Sequence, residues 1–155
     1  MMTHGKFIRE ESKKDAVMHY LVLLGRLFFS AIFILSGFTH FDQELIQYAA
    51  SKHVPMPSLL VPLSGIISLL GGLSILLGYK ARWGAWLLVI FLIPVTLWIH
   101  NFWEASDADQ AKIEQIMFLK NISILGGALL IAYFGSGPLS IDREVDKHIR
   151  DSSLG

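Results

Sequence analysis

The sequence predicts an all-α, membrane-embedded four-helix bundle with both termini in the cytoplasm. Three observations predict it. Hydrophobic residues make up 53% of the 155 positions and charged residues only 17%, against about a quarter charged in an ordinary soluble domain; mean hydropathy is +0.51. The apolar residues gather in four long blocks, each near the roughly 20 residues that a helix needs to cross about 30 Å of hydrocarbon. Lysine and arginine fall almost entirely on one side of those blocks. Backbone groups in lipid must pair internally, and no segment alternates as a barrel strand does, so the spans are helices.

Block one runs from about His19 to Phe41 and carries one charge, Arg26. It is too long for a cleaved signal peptide and ends without a small-x-small site, so it is expected to stay as a signal anchor. Asp42 to His53 reads DQELIQYAASKH, with Leu45, Ile46, Tyr48 and Ala49 on a rough apolar face. That pattern predicts an interfacial helix capped by Asp42 and stopped by Val54-Pro55-Met56-Pro57. Block two, about Ser58 to Tyr79, has no charge, and block three runs from about Trp83 to His100. Pro94 in block three should kink it by freeing the carbonyl of Ile90. Asn101 to Gln115 is an acidic loop whose second half, from Ala108, is expected to be helical and to run into block four, about Ile116 to Phe134. Lys120 is the only charge of that last block. The division expected is a tail over residues 1–18, one helical domain over 19–142 and a second tail over 143–155.

Nine basic residues flank the blocks on one side: Lys6, Arg9, Lys13, Lys14, Lys80, Arg82, Arg143, Lys147 and Arg150. Only Lys52 and Lys112 lie on the other, which orients both termini inward. Tyr20, Tyr79, Trp83, Trp98, Trp103 and Tyr133 sit near span ends, where amphipathic rings prefer to lie. Small residues recur at helical spacing: Gly65, Ser68 and Gly72 in block two; Ser123, Gly126 and Gly127 in block four; Gly25, Ser30 and Gly37 in block one. These are expected to form close-packed seams.

Composition narrows the chemistry. The net charge is +0 and no basic stripe is present, which leaves no footprint for nucleic acid. With no cysteine, the chain has no thiol chemistry of its own and no thiolate-bound metal. No phosphate loop, nucleotide fingerprint or nucleophile elbow occurs. The candidates that remain are polar groups in or near spans. A charge at a span centre costs about 2.5–3.5 kcal/mol on insertion scales, so Arg26 and Lys120 come first. Both are shallow enough to snorkel, Arg26 toward the cytoplasmic face and Lys120 toward the outer one. Lys120 near a helix N-terminus opposes the macrodipole, which predicts an acid beside it: Asp42, Glu44, Glu104 or Glu114. His40 and His100 end spans one and three on that same face. His40, His100, Trp103, Glu114, Lys120 and Asn121 are therefore expected around one outward pocket. Two histidines and a carboxylate from separate segments form no metal motif, and no metal is expected.

GRLFFSAIFILSGFTHF, the turn HVPMP, GGLSILLGYKARWGAW, HNFW and the closing FLKNISILGGALLIAYFGSGPLSID together resemble the DoxX family of small bacterial membrane proteins, over roughly residues 22 to 142. The closing stretch carries the resemblance most specifically. It implies a four-helix bundle of the bacterial inner membrane. It also implies a link to redox systems, since one family member is a membrane subunit of a thiosulfate:quinone oxidoreductase and others resemble partners of oxidative-stress enzymes. Carried over to this chain, the family pattern points to Arg26, His100, Trp103, Lys120 and Asn121. The chain departs from it at Thr39-His40, where many members have lysine, and at Ser68, where many have glutamate.

The leading expectation is an accessory or quinone-interacting subunit of a membrane redox system, with no covalently bound cofactor. It would be at most one subunit of an oxidoreductase complex. A non-catalytic scaffold for a partner enzyme is the rival, and a small-solute permease the third reading. Partners in keeping with these readings are the lipid bilayer, a redox enzyme, soluble or membrane-bound, and further copies of the chain.

Overall fold

The computed structural model describes residues 4–153. The first three residues of the N-terminal tail and the last two of the C-terminal tail lie outside the described part, as do the side chains of residues 4–9 and of Ser12. The protein is an all-α membrane protein with four helices long and apolar enough to span a bilayer. Helix α1 is His4–Thr39, α2 Gln43–Ser51, α3 Pro57–Leu77, α4 Ala81–Trp98, α5 Ala108–Phe134 and α6 Ile141–Ser153. A single 3-10 turn, Phe102–Glu104, lies between α4 and α5. The first expected tail is therefore helical from His4 and continuous with the span behind it.

The caps explain where helices begin and end. Asp42 occupies the position before α2 but makes no capping bond with its side chain, contrary to expectation. Asp107 does cap α5, accepting from the backbone N–H groups of Asp109 and Gln110. Pro57 opens α3, where its missing N–H costs nothing. Gly78 ends α3 at φ 65°, a left-handed conformation that glycine adopts freely. Pro94 lies inside α4, which runs unbroken from Ala81 to Trp98.

Packing follows chain order: α1 against α3, α3 against α4, α4 against α5, with α2 on the start of α3. The expected α1–α3 seam is present. A Cβ on Gly65 would fall 2.9 Å from the carbonyl oxygen of Gly37, and one on Gly72 would fall 3.2 Å from Cβ of Phe33. Between them Ser68 is fully buried and its hydroxyl donates to the Phe33 carbonyl at 2.8 Å. A second seam joins α3 to α4. There the Gly71 carbonyl lies 3.0 Å from where a Gly84 Cβ would stand, and the Gly84 carbonyl 3.0 Å from a Gly71 Cβ. Two of the expected small residues serve no seam: around Gly25 and Gly126 an added Cβ meets nothing. α1 and α5 do not pack along their lengths. Gly127 meets the ring of Phe29, and the core beneath consists of Phe33, Ile75, Ala81, Ala85, Leu88, Phe91 and Leu92.

Candidate functional site

The α1–α3 and α3–α4 seams bring backbones together, while α5 leans on α4 and leaves α1. The space left between them is a partly open cavity of about 520 Å³ toward the α2 end. Its walls are chiefly apolar, with Ile32 and Phe33 from α1, Leu60 and Ile67 from α3, Phe91 and Val95 from α4, and Ile124 from α5. Leu45, Tyr48 and Ala49 of α2 lie across it. Polar groups reach it from His40, Ser64, His100, Lys120 and Asn121.

One carboxylate organises the rim. Glu114, in the second turn of α5, is only 7% exposed. Its Oε2 accepts from Nδ1 of His100 at 2.8 Å, and its Oε1 accepts from the Tyr48 hydroxyl at 3.2 Å and from Lys52 Nζ at 3.5 Å. Because a carboxylate only accepts, the bond fixes the proton on His100 Nδ1 and leaves Nε2 with no partner among the described residues. Lys52 also donates to Asn101 Oδ1 at 3.4 Å, and Asn101 Nδ2 donates to Glu104 at 2.5 Å. Burial first, and then the neighbouring Glu114 charge, push the Tyr48 phenol above its ordinary range, against a smaller pull from Lys52. Tyr48 therefore stays a protonated donor.

Six of the seven residues singled out in the sequence lie at this end, in different roles. His100 and Glu114 are paired. His40 lines the cavity, its Nδ1 within 2.7 Å of the Ser36 carbonyl and its ring edge-on to Phe91. Asn121 also lines the cavity, is 6% exposed, and its amide has no hydrogen-bond partner among the described residues. Lys120 reaches the cavity too, but it does not find the acid expected beside it; its Nζ lies 3.2 Å from Met117 Sδ. The macrodipole argument for that acid falls because α5 starts at Ala108, which places Lys120 well beyond the first turn. The cation that Glu114 holds is Lys52, a residue the sequence marked only as one of two outer positive charges. Trp103 stacks edge-on with Phe102 and Phe118, and is not in the cavity wall.

Arg26 is the seventh, and it lies at the opposite end. It does not snorkel. It is 5% exposed, and its guanidinium donates to the carbonyls of Ser136, at 3.2 Å, and Leu139. These belong to the segment that follows α5, which turns back through Gly135, Gly137 and Leu139, all at positive φ. Asp142 then accepts from Lys80 N–H, and its own N–H donates to the Gly78 carbonyl. Arg26 thus ties α1 to the exit of α5, beside the α3–α4 turn. Ser68, where the resemblance leads one to expect glutamate, faces the α1 backbone in a closed seam and not the cavity. Among the described residues no three or more histidine, aspartate or glutamate side chains come together as a metal site.

The family model for DoxX matches residues 21–101. That match takes in α3, α4 and most of α1, and stops short of the closing stretch that carried the resemblance most specifically. The chain is 33% identical over 126 residues to Inner membrane protein YphA of Escherichia coli, covering 79% of this chain and 89% of that one. It is 31% identical over 131 residues to Inner membrane protein YqjF of the same organism, covering 81% and 92%. ER-derived vesicles protein ERV29 of Saccharomyces cerevisiae is 26% identical over 144 residues, but only 39% of its length is covered. No solved structure matches the chain. The matched residues and these two bacterial relatives, aligned over most of both chains, make the protein a member of the DoxX family.

Proposed function

We propose that this protein is a bacterial inner-membrane, quinone-interacting accessory subunit of a redox system, with both termini in the cytoplasm. The observation that carries the reading is Asn121: a largely buried side chain whose amide, without a partner among the described residues, lines a cavity that is otherwise largely apolar. An amide with unused hydrogen-bonding capacity beside an apolar cavity favours a ligand that bears oxygen. The polar groups gather at one end of the cavity, beside Lys120 and the two histidines, and the remaining wall is apolar. This matches a molecule with a polar head and a lipid-soluble body. A quinone when bound supplies two-electron, two-proton chemistry. Its electrons would come from a partner dehydrogenase.

The chain's own residues would bind and manage protons. Asn121 and Lys120 would donate to head-group oxygens. His100 Nε2 would hold or release a proton at the cavity wall, while Glu114 fixes the ring and balances the imidazolium on Nδ1. The inner-membrane names of the two bacterial relatives support the location. The excess of basic residues on the terminal side supports the orientation, with α2 and Glu104 on the periplasmic side. The scaffold reading keeps one specific support: α5 leaves Leu119, Ile122, Leu130 and Tyr133 exposed, a face free to meet a partner.

Two experiments test this. Reporter fusions at Lys14, Ala81 and Asp146 should read cytoplasmic, and fusions at Ser51 and Ala108 periplasmic; the reverse at Ala108 would break the topology. Organic extraction of purified protein should yield quinone in molar proportion to wild type and less from Asn121→Leu. Equal trace amounts from both would leave the scaffold reading in its place.

A further inference from the structure

The cavity has a mouth, and one carboxylate fastens it. α2 packs on the start of α3 through Ile46 and Ala49 against Val61. Its Leu45, Tyr48 and Ala49 lie over the cavity. On the far side of the cavity stands α5, against which α2 has no extensive packing. Side chains bridge the gap: Tyr48 and Lys52 reach from the α2 segment to Glu114. Glu114 also takes the His100 ring from the end of α4. Three elements thus meet on one nearly buried carboxylate at the rim. The segment that leads out of α2 is strained: His53 at φ 57° and Met56 at φ 44° are non-glycine residues in the left-handed region, on either side of Val54-Pro55. Such conformations persist only where surrounding structure holds them, and they mark segments with a second arrangement within reach.

We infer that Glu114 is a latch that closes α2 over the cavity, and that releasing it opens the cavity from the α2 end. This rests on reading the cavity as a ligand site and adds how access to that site is regulated. The logic is electrostatic. Lys52 is drawn to Glu114, beside the lining residues Tyr48 and His100; without that charge its ammonium is better solvated in water. The end of α2 then swings outward with it, about the strained exit. His100 couples the latch to the ligand: a ligand that takes the proton or the hydrogen bond of the ring changes what Glu114 holds on its other oxygen. Opening and binding therefore bias each other.

The chain has no cysteine, so one introduced thiol reports access without background. Ser64 lines the cavity, and its hydroxyl bonds only to its own helix at the Val61 carbonyl, so Ser64→Cys preserves the wall. Its rate of labelling by a charged, membrane-impermeant thiol reagent is measured in lipid nanodiscs with no quinone present. Ser106→Cys, on the exposed loop, serves as the reference. Wild-type background should label slowly at Ser64→Cys. Glu114→Gln and Lys52→Met should each raise that rate about tenfold, the effect of losing one hydrogen bond between charged groups. Tyr48→Phe should raise it less, and none should move the Ser106→Cys rate. Equal Ser64→Cys rates in wild type and all three variants, or a wild-type rate already equal to that at Ser106→Cys, would overturn the latch. Since Tyr48→Phe removes one hydroxyl, it keeps the test valid if a charge variant folds poorly. A protein that binds no quinone but shows the rate increases would lose the quinone reading and keep the latch; one that binds quinone with unchanged rates would do the reverse.

Discussion

At the end that carries both termini, Arg26 directs its guanidinium at two backbone carbonyls, and Gly71 and Gly84 bring α3 and α4 into close backbone approach. At the α2 end the polar groups are not used up. His100 keeps a free nitrogen, Asn121 a free amide, and a cavity of about 520 Å³ separates the helices. The buried charge at the first end has the marks of structure, since its hydrogen bonds go to the chain itself. The polar groups at the second have spare bonding capacity over empty volume, and that is the mark of a site. Depth in the membrane does not separate the two cases, and neither does an unpaired atom alone, since Arg26 Nε is buried without a partner; free capacity that borders empty volume does.

The largest effects should fall at the closed end. Arg26→Ala should destabilise by on the order of 3 kcal/mol, since two hydrogen bonds from a charged donor are lost and two carbonyls left unpaired. Thermal unfolding in detergent measures it, and limited proteolysis should now cut between Ser136 and Leu139. An unchanged melting temperature would mean that Arg26 snorkels after all. Ser68→Glu should cost a similar amount, on the order of 3 kcal/mol, by placing an unpaired carboxylate in the α1–α3 seam. Wild-type stability there would mean that the seam holds a polar pocket able to take a carboxylate.

One substituent placed at both ends sharpens the contrast. Gly84→Leu should cost about 1–3 kcal/mol by driving α4 off α3. Ser64→Leu, in the cavity wall, should leave stability within about 0.5 kcal/mol of wild type, because the added atoms enter empty space. It should nevertheless block ligand. Equal melting shifts would remove the distinction between packed end and open end. The smallest structural effect belongs to Lys120→Gln, within about 0.5 kcal/mol, because the side chain is exposed and holds no acid.

The spans were legible because lipid demands one thing of the sequence: some twenty apolar residues with paired backbone. The α1–α3 seam was legible for a similar reason, since small residues at helical spacing recur where helices touch. The acid expected beside Lys120 is missing because the macrodipole belongs to the whole helix and not to the apolar block that starts near Ile116. That helix starts at Ala108, as the sequence suggests, and is capped by Asp107. Lys52 was passed over because its meaning depends on α2 docking beside a residue 62 positions away, which no local pattern records. Arg26 is expected from the sequence to snorkel, and in the structure it instead donates to two backbone carbonyls. The signal lay in the glycines and proline of FGSGPLSID, which fold that segment back under α1.

Binding of a short-chain quinone analogue, measured on folded protein in nanodiscs, tests the difference between the ends most directly. Wild type and Arg26→Lys should bind alike where both are folded. Asn121→Leu and His100→Ala should each bind at least about tenfold more weakly, the loss of one hydrogen bond in a low-dielectric site. A wild type that binds nothing, or four proteins that bind equally, would contradict the claim that the open end of the bundle is a ligand site.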